Sequence, residues 1–264
     1  MIKDYMTKEV YYLNPNDNLA TARNLFLSKK ISHILVLDDK EKLVGILTER
    51  DLATFLLKHV KDEKPLNEYL VKEAMTEDPI TIQYYEDEKE AIKKMLENNI
   101  SCLPVMDKNE VIGIITKTDL LKYAFNTLPD NKFVKDYMTS DVVTIKPYNS
   151  VLQAIKKMKE HKIKKLVVVE GKTPIGILSE RDVSFFEYAR AMKKLEINER
   201  KVKILPGIVL DVMRDNLITC KKNDKLKDIA KKMIENKVGS CVVVDDENHL
   251  EGIITNTDVL KSCL

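Results

Sequence analysis

A hydroxyl side chain followed three residues later by an aspartate occurs four times in the chain, always after a glycine and a short apolar run. The first copy reads Gly45-Ile-Leu-Thr-Glu-Arg-Asp51. At the start of a helix, such a pair can close a capping box with the first backbone amides. The free amides and the positive end of the helix dipole also make this position attractive to an anion. The four pairs are Thr48 and Asp51, Thr116 and Asp119, Ser179 and Asp182, and Thr255 and Asp258.

Two roles for these aspartates stay open at the level of sequence. Each carboxylate could do no more than cap its own helix. However, Glu or Gln would reach back to the cap more easily than Asp, and all four copies carry the shorter acid. This choice favours a carboxylate that faces outward into a cleft.

The motif belongs to a longer repeat. A methionine stands 38 or 39 residues before each of the four glycines, so the chain consists of four copies of one unit. A period of about 60 residues is typical of a repeat architecture. Units of this size bury little apolar surface alone, and we expect them to pair into modules over residues 1–128 and 132–264. The methionines are Met6, Met75, Met138 and Met213, and the expected units cover residues 1–60, 69–128, 132–192 and 207–264.

Each unit has the pattern of a strand, a helix, two strands and a second helix, which predicts an α+β fold. In the third unit, apolar residues from Val151 to Met158 recur at the spacing of a helix that buries one face. The strands before and after this helix should be parallel, and a short turn should join the next two in an antiparallel hairpin. Glu88 interrupts the apolar stripe in unit two, so that helix is expected to begin after it. The linker before unit four could hold an extra helix from Phe185 to Glu196.

Composition argues against several classes of protein. The net charge is +2 and Lys alternates with Glu along the helices, which argues against nucleic-acid binding. The sequence has neither a long apolar run nor the features of a signal peptide, so we expect a cytoplasmic protein without a membrane span. The cysteines form no C-x-x-C pair, and metal-binding and phosphate-loop motifs are absent from the sequence. No nucleophile, base and acid recur in register, so an enzyme is not expected.

The four-copy arrangement resembles the CBS domain, named after cystathionine β-synthase, and its two pairs of copies resemble two Bateman modules in tandem. The resemblance covers nearly the whole chain and depends on the Gly-x-x-[Thr/Ser]-x-x-Asp motif together with the methionine at a fixed distance. It implies that the four aspartates accept hydrogen bonds from ribose hydroxyls, with the Thr or Ser side chains near ribose and phosphate. Since a carboxylate repels phosphate, that group would lie towards basic side chains.

The resemblance also suggests further ligand contacts at the start of the second strand, just before the aspartate, and on the first strand. Basic candidates are His33 and Arg50 in the first module and Lys164, Lys165 and Arg181 in the second. The second set is the stronger because it offers more charge-assisted hydrogen bonds to phosphate. Surface charges without a ligand remain the alternative for each. Thr81, Thr144 and Thr219 each stand six positions after a methionine of the repeat. They either line the wall of the cleft beside the adenine base or are only strand residues.

By this resemblance, we expect a regulatory protein that binds AMP, ADP, ATP or an S-adenosylmethionine-type ligand and requires no cofactor. Binding would shift the relative orientation of the units, and a partner protein that the sequence does not identify would respond. The alternative is a non-catalytic scaffold for dimerisation with empty clefts, and a nucleic-acid-binding role is less favoured. We expect a homodimer, although the four units could close into a disk within one chain or need a second chain.

Overall fold

The computed structural model describes residues 1–59, 62, 64–183, 185–186 and 207–264. Within them, the predicted order of strand, helix, strand, strand and helix is confirmed, and the chain mixes helices with small sheets. In unit three, the second helix is described over residues 180–183 and 185–186. Most of the extra helix expected from Phe185 to Glu196 lies outside the described residues.

The strands and helices are numbered here along the chain. Unit one contains β1 (Tyr12–Leu13), α1 (Leu19–Lys29), β2 (His33–Leu37), β3 (Leu43–Thr48) and α2 (Glu49–Lys58). Unit two contains β4 (Thr76–Glu77), β5 (Ile82–Gln83), α3 (Glu88–Glu97), β6 (Cys102–Asp107), β7 (Glu110–Thr116) and α4 (Lys117–Thr127). Unit three contains β8 (Thr144–Ile145), α5 (Val151–Glu160), β9 (Lys165–Glu170) and β10 (Thr173–Ser179). Unit four contains β11 (Thr219–Cys220), α6 (Leu226–Glu235), β12 (Ser240–Val244), β13 (Leu250–Thr255) and α7 (Asn256–Lys261). In the part of the chain that the structure describes, no helix combines the length and the apolar character needed to cross a bilayer.

Each unit builds its sheet as the sequence predicts. Strands β1 and β2 pair in parallel across α1, and β2 pairs antiparallel with β3 in a hairpin. The other three units repeat this pattern. Helices α2, α4 and α7 begin directly after Thr48, Thr116 and Thr255, so the repeated hydroxyl residue is the N-cap of each helix.

The first helix of unit two begins earlier than the sequence predicts. Helix α3 begins at Glu88, and the Asp87 side chain caps it by accepting from the Lys89 amide at 2.6 Å. Glu88 is only 7% exposed, and its carboxylate lies 2.7 Å from the amino group of Met1. The expected late start is wrong because this ion pair gives the buried carboxylate a partner from a distant part of the chain.

Each methionine of the repeat contacts the glycine of the other unit in its module. A Cβ atom on Gly45 would lie 2.6 Å from the sulfur of Met75, and one on Gly113 would lie 3.0 Å from the sulfur of Met6. The second module repeats the exchange, between Met213 and Gly176 and between Met138 and Gly252. The methionine segment of each unit therefore packs on the glycine of the other unit in its module. Glycine leaves the space for this close approach because it has no side chain.

The two modules pack against each other within one chain. Helices α3 and α4 of unit two share an apolar core with α6 and α7 of unit four, and this core includes Leu121 and Leu260. Phe185 of unit three packs against the core of unit one. Together with the exchanged segments inside each module, these contacts close the four units into a ring without a second chain.

The cysteines serve as packing residues. Cys102, Cys220 and Cys241 are buried and Cys263 is partly buried, all as free thiols. Burial raises the pKa of the thiols, to about 12 at Cys220 and about 11 at Cys241. Since they stay protonated at neutral pH, they pack as small apolar groups.

Candidate functional site

The repeated hydroxyl and aspartate are hydrogen-bonded to each other in all four units, and in units one, two and three they close a full capping box. Oδ2 of Asp51 accepts from the amide and the hydroxyl of Thr48 at 2.9 and 2.7 Å, and the Thr48 hydroxyl accepts from the Asp51 amide at 3.1 Å. Asp182 binds Ser179 in the same way. The expectation that aspartate is too short to favour the box is therefore wrong. The box also forms between Thr116 and Asp119. In unit four, Oδ2 of Asp258 accepts from the Thr255 amide and hydroxyl at 2.9 and 2.7 Å, but among the described hydrogen bonds the Asp258 amide does not donate back to the hydroxyl.

The box uses only one oxygen of each carboxylate. At Asp51, Asp119 and Asp258, every hydrogen bond that the carboxylate accepts from the described residues goes to Oδ2. Among the described residues, none donates a hydrogen bond to Oδ1 of these partly buried side chains. At Asp182, Oδ1 accepts from Nη2 of Arg214 at 2.6 Å. Capping and ligand binding are compatible roles, because one carboxylate can serve both.

A cavity of about 590 Å³ lies between the units, and residues of all four units line it. Its volume is in the usual range of ligand pockets, roughly 300–1,000 Å³. The motif pairs of units one and three both face it, so Asp51 and Asp182 share one cavity. We call this the central cavity. It is also lined by the predicted basic residues His33, Arg50, Lys164, Lys165 and Arg181.

Two reciprocal ion pairs join units one and three at the central cavity. Nη1 of Arg181 donates to Oε2 of Glu49 at 2.5 Å, and Nε of Arg50 lies 3.5 Å from Oε2 of Glu180. The Ser32 hydroxyl donates to the same Glu49 oxygen at 2.7 Å. The two arginines thus carry their charge at the cavity while each contacts the opposite module.

The two neighbouring lysines of unit three have different surroundings. Nζ of Lys164 donates to Oδ1 of Asn99 in unit two at 3.1 Å, and burial and Arg50 lower its pKa. Nζ of Lys165 donates to the Gly239 carbonyl at 3.2 Å and to the Ser240 hydroxyl at 3.0 Å. Burial, followed by the nearby Arg214, lowers the pKa of Lys165 to about 8. Lys165 is therefore charged at neutral pH, but an anion beside it would stabilise that charge further.

His33 has a role different from that of a fixed cation. Its Nε2 lies 3.1 Å from the Ser101 hydroxyl of unit two. Burial and the charge of Arg50 lower the pKa of His33 to about 4. The ring is therefore neutral at pH 7, and it can exchange hydrogen bonds with a ligand but cannot neutralise a phosphate.

A second cavity, of about 310 Å³, belongs to the motif of unit two. Asp119 lines it together with residues 9–11. Lys117 lines it too, is 8% exposed, and donates from Nζ to the Thr257 hydroxyl of unit four at 3.0 Å. Burial, followed by nearby cations, lowers the pKa of Lys117 to about 8. Like the central cavity, this cavity is lined by a motif aspartate and a basic side chain, which here is Lys117.

The motif of unit four is placed differently from the other three. Thr255 and Asp258 are hydrogen-bonded to each other, but neither residue is among those that line the two cavities. Asn256 is the residue of this motif that reaches both cavities. A ligand contact at Asp258 therefore stays a prediction.

The three threonines proposed for the adenine side also lie outside the lining of these cavities. Their backbone carbonyls accept hydrogen bonds from a lysine Nζ of the following helix, at 3.4 Å for Thr81, 2.7 Å for Thr144 and 2.8 Å for Thr219. Residues 78–80 and 216–218, just before two of these threonines, line the central cavity instead.

Some residues of the cavities were not singled out from the sequence. The residue after the methionine is threonine in three units, whereas the fourth has Arg214, and this exception could have drawn attention to it. Glu49 and Glu180 stand in the sequence Glu-Arg-Asp, which only units one and three share. Lys117 had no such signal, because its burial depends on unit four.

The protein is therefore a repeat protein with ligand-sized cavities between its units. Helix N-termini and both acidic and basic side chains line these cavities. A CBS domain family model matches residues 2–58, 71–126, 134–186 and 209–264. The chain belongs to the CBS domain family, and its four repeats form two tandem modules, as the sequence indicated. Proteins that consist of CBS domains alone are typically regulatory.

Several known proteins are similar to this chain. Protein MJ1225 of Methanocaldococcus jannaschii is 27% identical over 99% of this chain and 98% of its own length. Its crystal structure, proposed as that of an archaeal homologue of g-AMPK, aligns with a TM-score of 0.84 over 100% of this chain and 99% of that one. Protein MJ1404 of the same organism is 27% identical over 98% of this chain, which spans 61% of that protein. A conserved protein of Pyrococcus horikoshii shares the fold, with a TM-score of 0.66 at 19% identity over 100% of this chain and 99% of that one.

Proposed function

We propose that the protein is a non-enzymatic regulator that binds an adenosyl ligand, either an adenine nucleotide or an S-adenosylmethionine-type compound, between its units. One observation carries the proposal. Asp51 caps its helix with Oδ2 and leaves Oδ1 to a 590 Å³ cavity that also contains cationic side chains. A carboxylate acceptor near several cations suits a ligand in which a sugar diol is joined to a charged group.

The wall beside Asp51 suits the base of such a ligand. Pro79 and Ile80 line the central cavity, and both present apolar surface. A planar base could pack there, with its ribose at Asp51 and its phosphate towards Arg50 and Lys164. Ligand pockets commonly combine an apolar lining with a few polar groups that set the orientation.

The ion pairs between the modules offer a way for binding to change the shape of the protein. Arg50 and Arg181 are held by Glu180 and Glu49 of the opposite module. A bound phosphate competes with these carboxylates for the guanidinium groups. Ligand affinity would then differ between the joined and the loosened arrangement, which is the requirement for a regulatory response. A partner protein that binds one arrangement would sense the ligand.

The similarity to MJ1225 supports a regulatory role. That protein aligns over the full length of this chain and has been proposed as an archaeal homologue of g-AMPK. The ring of four units needs no second chain to complete its cavities. The expected homodimer and cytoplasmic location stay predictions, and sedimentation analysis with and without AMP would test the first.

Calorimetric titration with AMP, ATP and S-adenosylmethionine tests the proposal. We compare Asp51→Asn with Asp258→Asn, because asparagine keeps an oxygen that can accept the capping hydrogen bonds. Asp51→Asn should weaken binding about 10-fold or more, as expected for a lost hydrogen bond to a charged group. Asp258→Asn should leave binding in the central cavity unchanged, since Asp258 does not line it. Equal effects of the two substitutions would contradict the assignment of Asp51 to the ligand.

A second pair of variants tests the phosphate end. Lys164→Ala and Lys165→Ala should weaken AMP binding more than adenosine binding, because adenosine lacks the charged group. If both variants bind AMP as tightly as the natural protein, phosphate does not lie at these lysines.

A scaffold with empty clefts is the other candidate. It is favoured by the fact that Arg50, Arg181, Lys164 and Lys165 already have protein partners. Thermal unfolding separates the two candidates, since a ligand that binds the native state must raise the melting temperature. No rise with any adenosyl compound at millimolar concentration would favour the scaffold.

A further inference from the structure

Within the described part of the chain, Asp182 differs from the other three motif aspartates in that both of its carboxylate oxygens accept hydrogen bonds. Oδ2 accepts from the Ser179 amide and hydroxyl, and Oδ1 accepts from Nη2 of Arg214 at 2.6 Å. In the other units, the residue at the position of Arg214 is a threonine, too short to make this contact. These residues are Thr7, Thr76 and Thr139.

We propose that Arg214 makes the part of the central cavity beside Asp182, here called the unit-three cleft, selective for phosphorylated ligands. Without a ligand, Arg214 donates to Oδ1 of Asp182, the oxygen that would accept from ribose. The arginine releases this oxygen only when a phosphate binds its guanidinium group. The part of the central cavity beside Asp51, here called the unit-one cleft, has Thr76 at this position and accepts nucleosides and nucleotides alike. This inference rests on the proposed binding of adenosyl ligands.

The energetics of the ion pair support this selectivity. Asp182 is 15% exposed, so moving Arg214 away without a replacement would leave a largely buried carboxylate without the cation that contacts it directly. A ribose diol offers hydrogen bonds but no charge, so it cannot compensate for the arginine. A phosphate gives the guanidinium a new anionic partner with matching geometry, and then the diol can bind Asp182.

The position of Arg214 allows this movement. Its side chain is 52% exposed and lines the central cavity, so it can turn from Asp182 towards a ligand in the same space. Lys165 lies close enough to Asp182, Arg181 and Arg214 for their charges to affect its own, and both arginines disfavour the charged form of Lys165. A phosphate among these three cations relieves their mutual repulsion, whereas a nucleoside does not.

The corresponding residues of other units show that threonine fits at position 214. The backbone of Arg214 exchanges two hydrogen bonds of 2.9 Å with Ile177. Thr7 and Thr139 make the same exchange with Ile114 and Ile253, also at 2.9 Å. Arg214→Thr therefore keeps the backbone pairing and removes only the guanidinium.

Two reciprocal substitutions test the proposal by counting ligands. Equilibrium dialysis measures adenosine and AMP bound per chain for the natural protein, Arg214→Thr and Thr76→Arg, with Asp182→Asn to identify the unit-three cleft. The natural protein should bind adenosine at least 10-fold more weakly than AMP at the Asp182-dependent cleft. Arg214→Thr should tighten adenosine binding there about 10-fold or more, while AMP binding stays equal or weakens. Thr76→Arg should impose the same discrimination on the Asp51-dependent cleft.

The outcomes separate this inference from the function on which it rests. If AMP binds in an Asp182-dependent way but Arg214→Thr leaves adenosine affinity unchanged, Arg214 is not selective and the adenosyl-binding function stands. The same conclusion follows if the natural protein binds adenosine and AMP equally at that cleft. If neither compound binds any variant, both the inference and the proposed function are overturned.

Discussion

Arg181 of unit three donates to the carboxylate of Glu49 in unit one at 2.5 Å, across the boundary between the two modules. The Glu-Arg-Asp sequence that contains Arg181 also supplies Glu180, which lies 3.5 Å from Arg50 of unit one. The identical Glu-Arg-Asp tripeptides of units one and three thus face each other, and the arginine of each forms an ion pair with the glutamate of the other. Because both arginines line the central cavity, the junction between modules is also part of the candidate ligand site.

The first prediction concerns the strength of these two ion pairs. In a double-mutant cycle with Glu49→Gln and Arg181→Gln, we expect a coupling of about 1 kcal/mol in the free energy of unfolding. Glu49 is 15% and Arg181 35% exposed, so solvent weakens this pair only partly. The matched cycle with Arg50→Gln and Glu180→Gln should give less than about 0.5 kcal/mol, since these side chains are 45% and 38% exposed. Urea denaturation measures both couplings, and equal values would contradict this ranking.

The second prediction concerns the glycines that the methionine segments approach. A Cβ atom on Gly113 would lie 2.8 Å from the Thr7 carbonyl oxygen, a backbone atom that cannot move without breaking the exchange between units. Gly113→Ala should therefore destabilise the protein by roughly 1–3 kcal/mol. Gly239→Ala is the control, because its Cβ atom would meet neighbours no closer than 3.5 Å. A melting temperature that falls equally in both variants would exclude close approach as the reason for glycine at position 113.

The third prediction concerns the pH dependence of stability above neutrality. The pKa of Lys165 is about 8 in the folded protein, below the ordinary value of 10.5, so between these pH values the unfolded chain binds more protons. The lysine therefore destabilises the fold at neutral pH, and its effect disappears as the pH rises through this window. Lys165→Met should raise the free energy of unfolding at pH 7 by roughly 1–3 kcal/mol and reduce its rise between pH 8 and 10. Lys156→Met, on the exposed face of α5, should change neither quantity.

The fourth prediction concerns the acid side of the stability curve. The pKa of His33 is about 4 in the folded protein against 6.5 ordinarily, so below pH 6.5 the unfolded state binds the proton more readily. Stability should fall as the pH decreases from 6.5 to 4, by on the order of 1–2 kcal/mol for a group that solvent partly screens. His33→Asn should flatten this limb in urea denaturation, whereas substitution of the exposed His161 should not. If the limb is unchanged in His33→Asn, other groups determine it.

Local features of the sequence predicted the secondary structure well. The spacing of apolar residues identified the helix in each unit, and the short turns identified the hairpins. The hydroxyl at Thr48 and its counterparts marked where the last helix begins, because N-capping depends on residues close in the chain. Glu88 misled the prediction, since the amino group that neutralises it belongs to a different part of the chain.

The candidate site was predictable only where its residues repeat. The sequence singled out Asp51 and Asp182 because the motif recurs, and it singled out Lys165 and Arg181 by their place in the unit. It did not show that Asp51 and Asp182 face one cavity, because they belong to different modules. Arg214 was missed because its partner Asp182 is 32 residues away.

The sequence by itself determined the repeat, the order of strands and helices, and the hydroxyl residue at which the last helix of each unit begins, since these depend on residues close in the chain. The tertiary structure decided which unit each methionine segment contacts and which basic side chains lie near each motif aspartate. It also decided that Oδ1 accepts from Arg214 at Asp182, whereas at Asp51 the hydrogen bonds from described residues all go to Oδ2. These relationships depend on how four nearly equivalent units pack around one cavity, and each unit carries the same motif whatever its neighbours are.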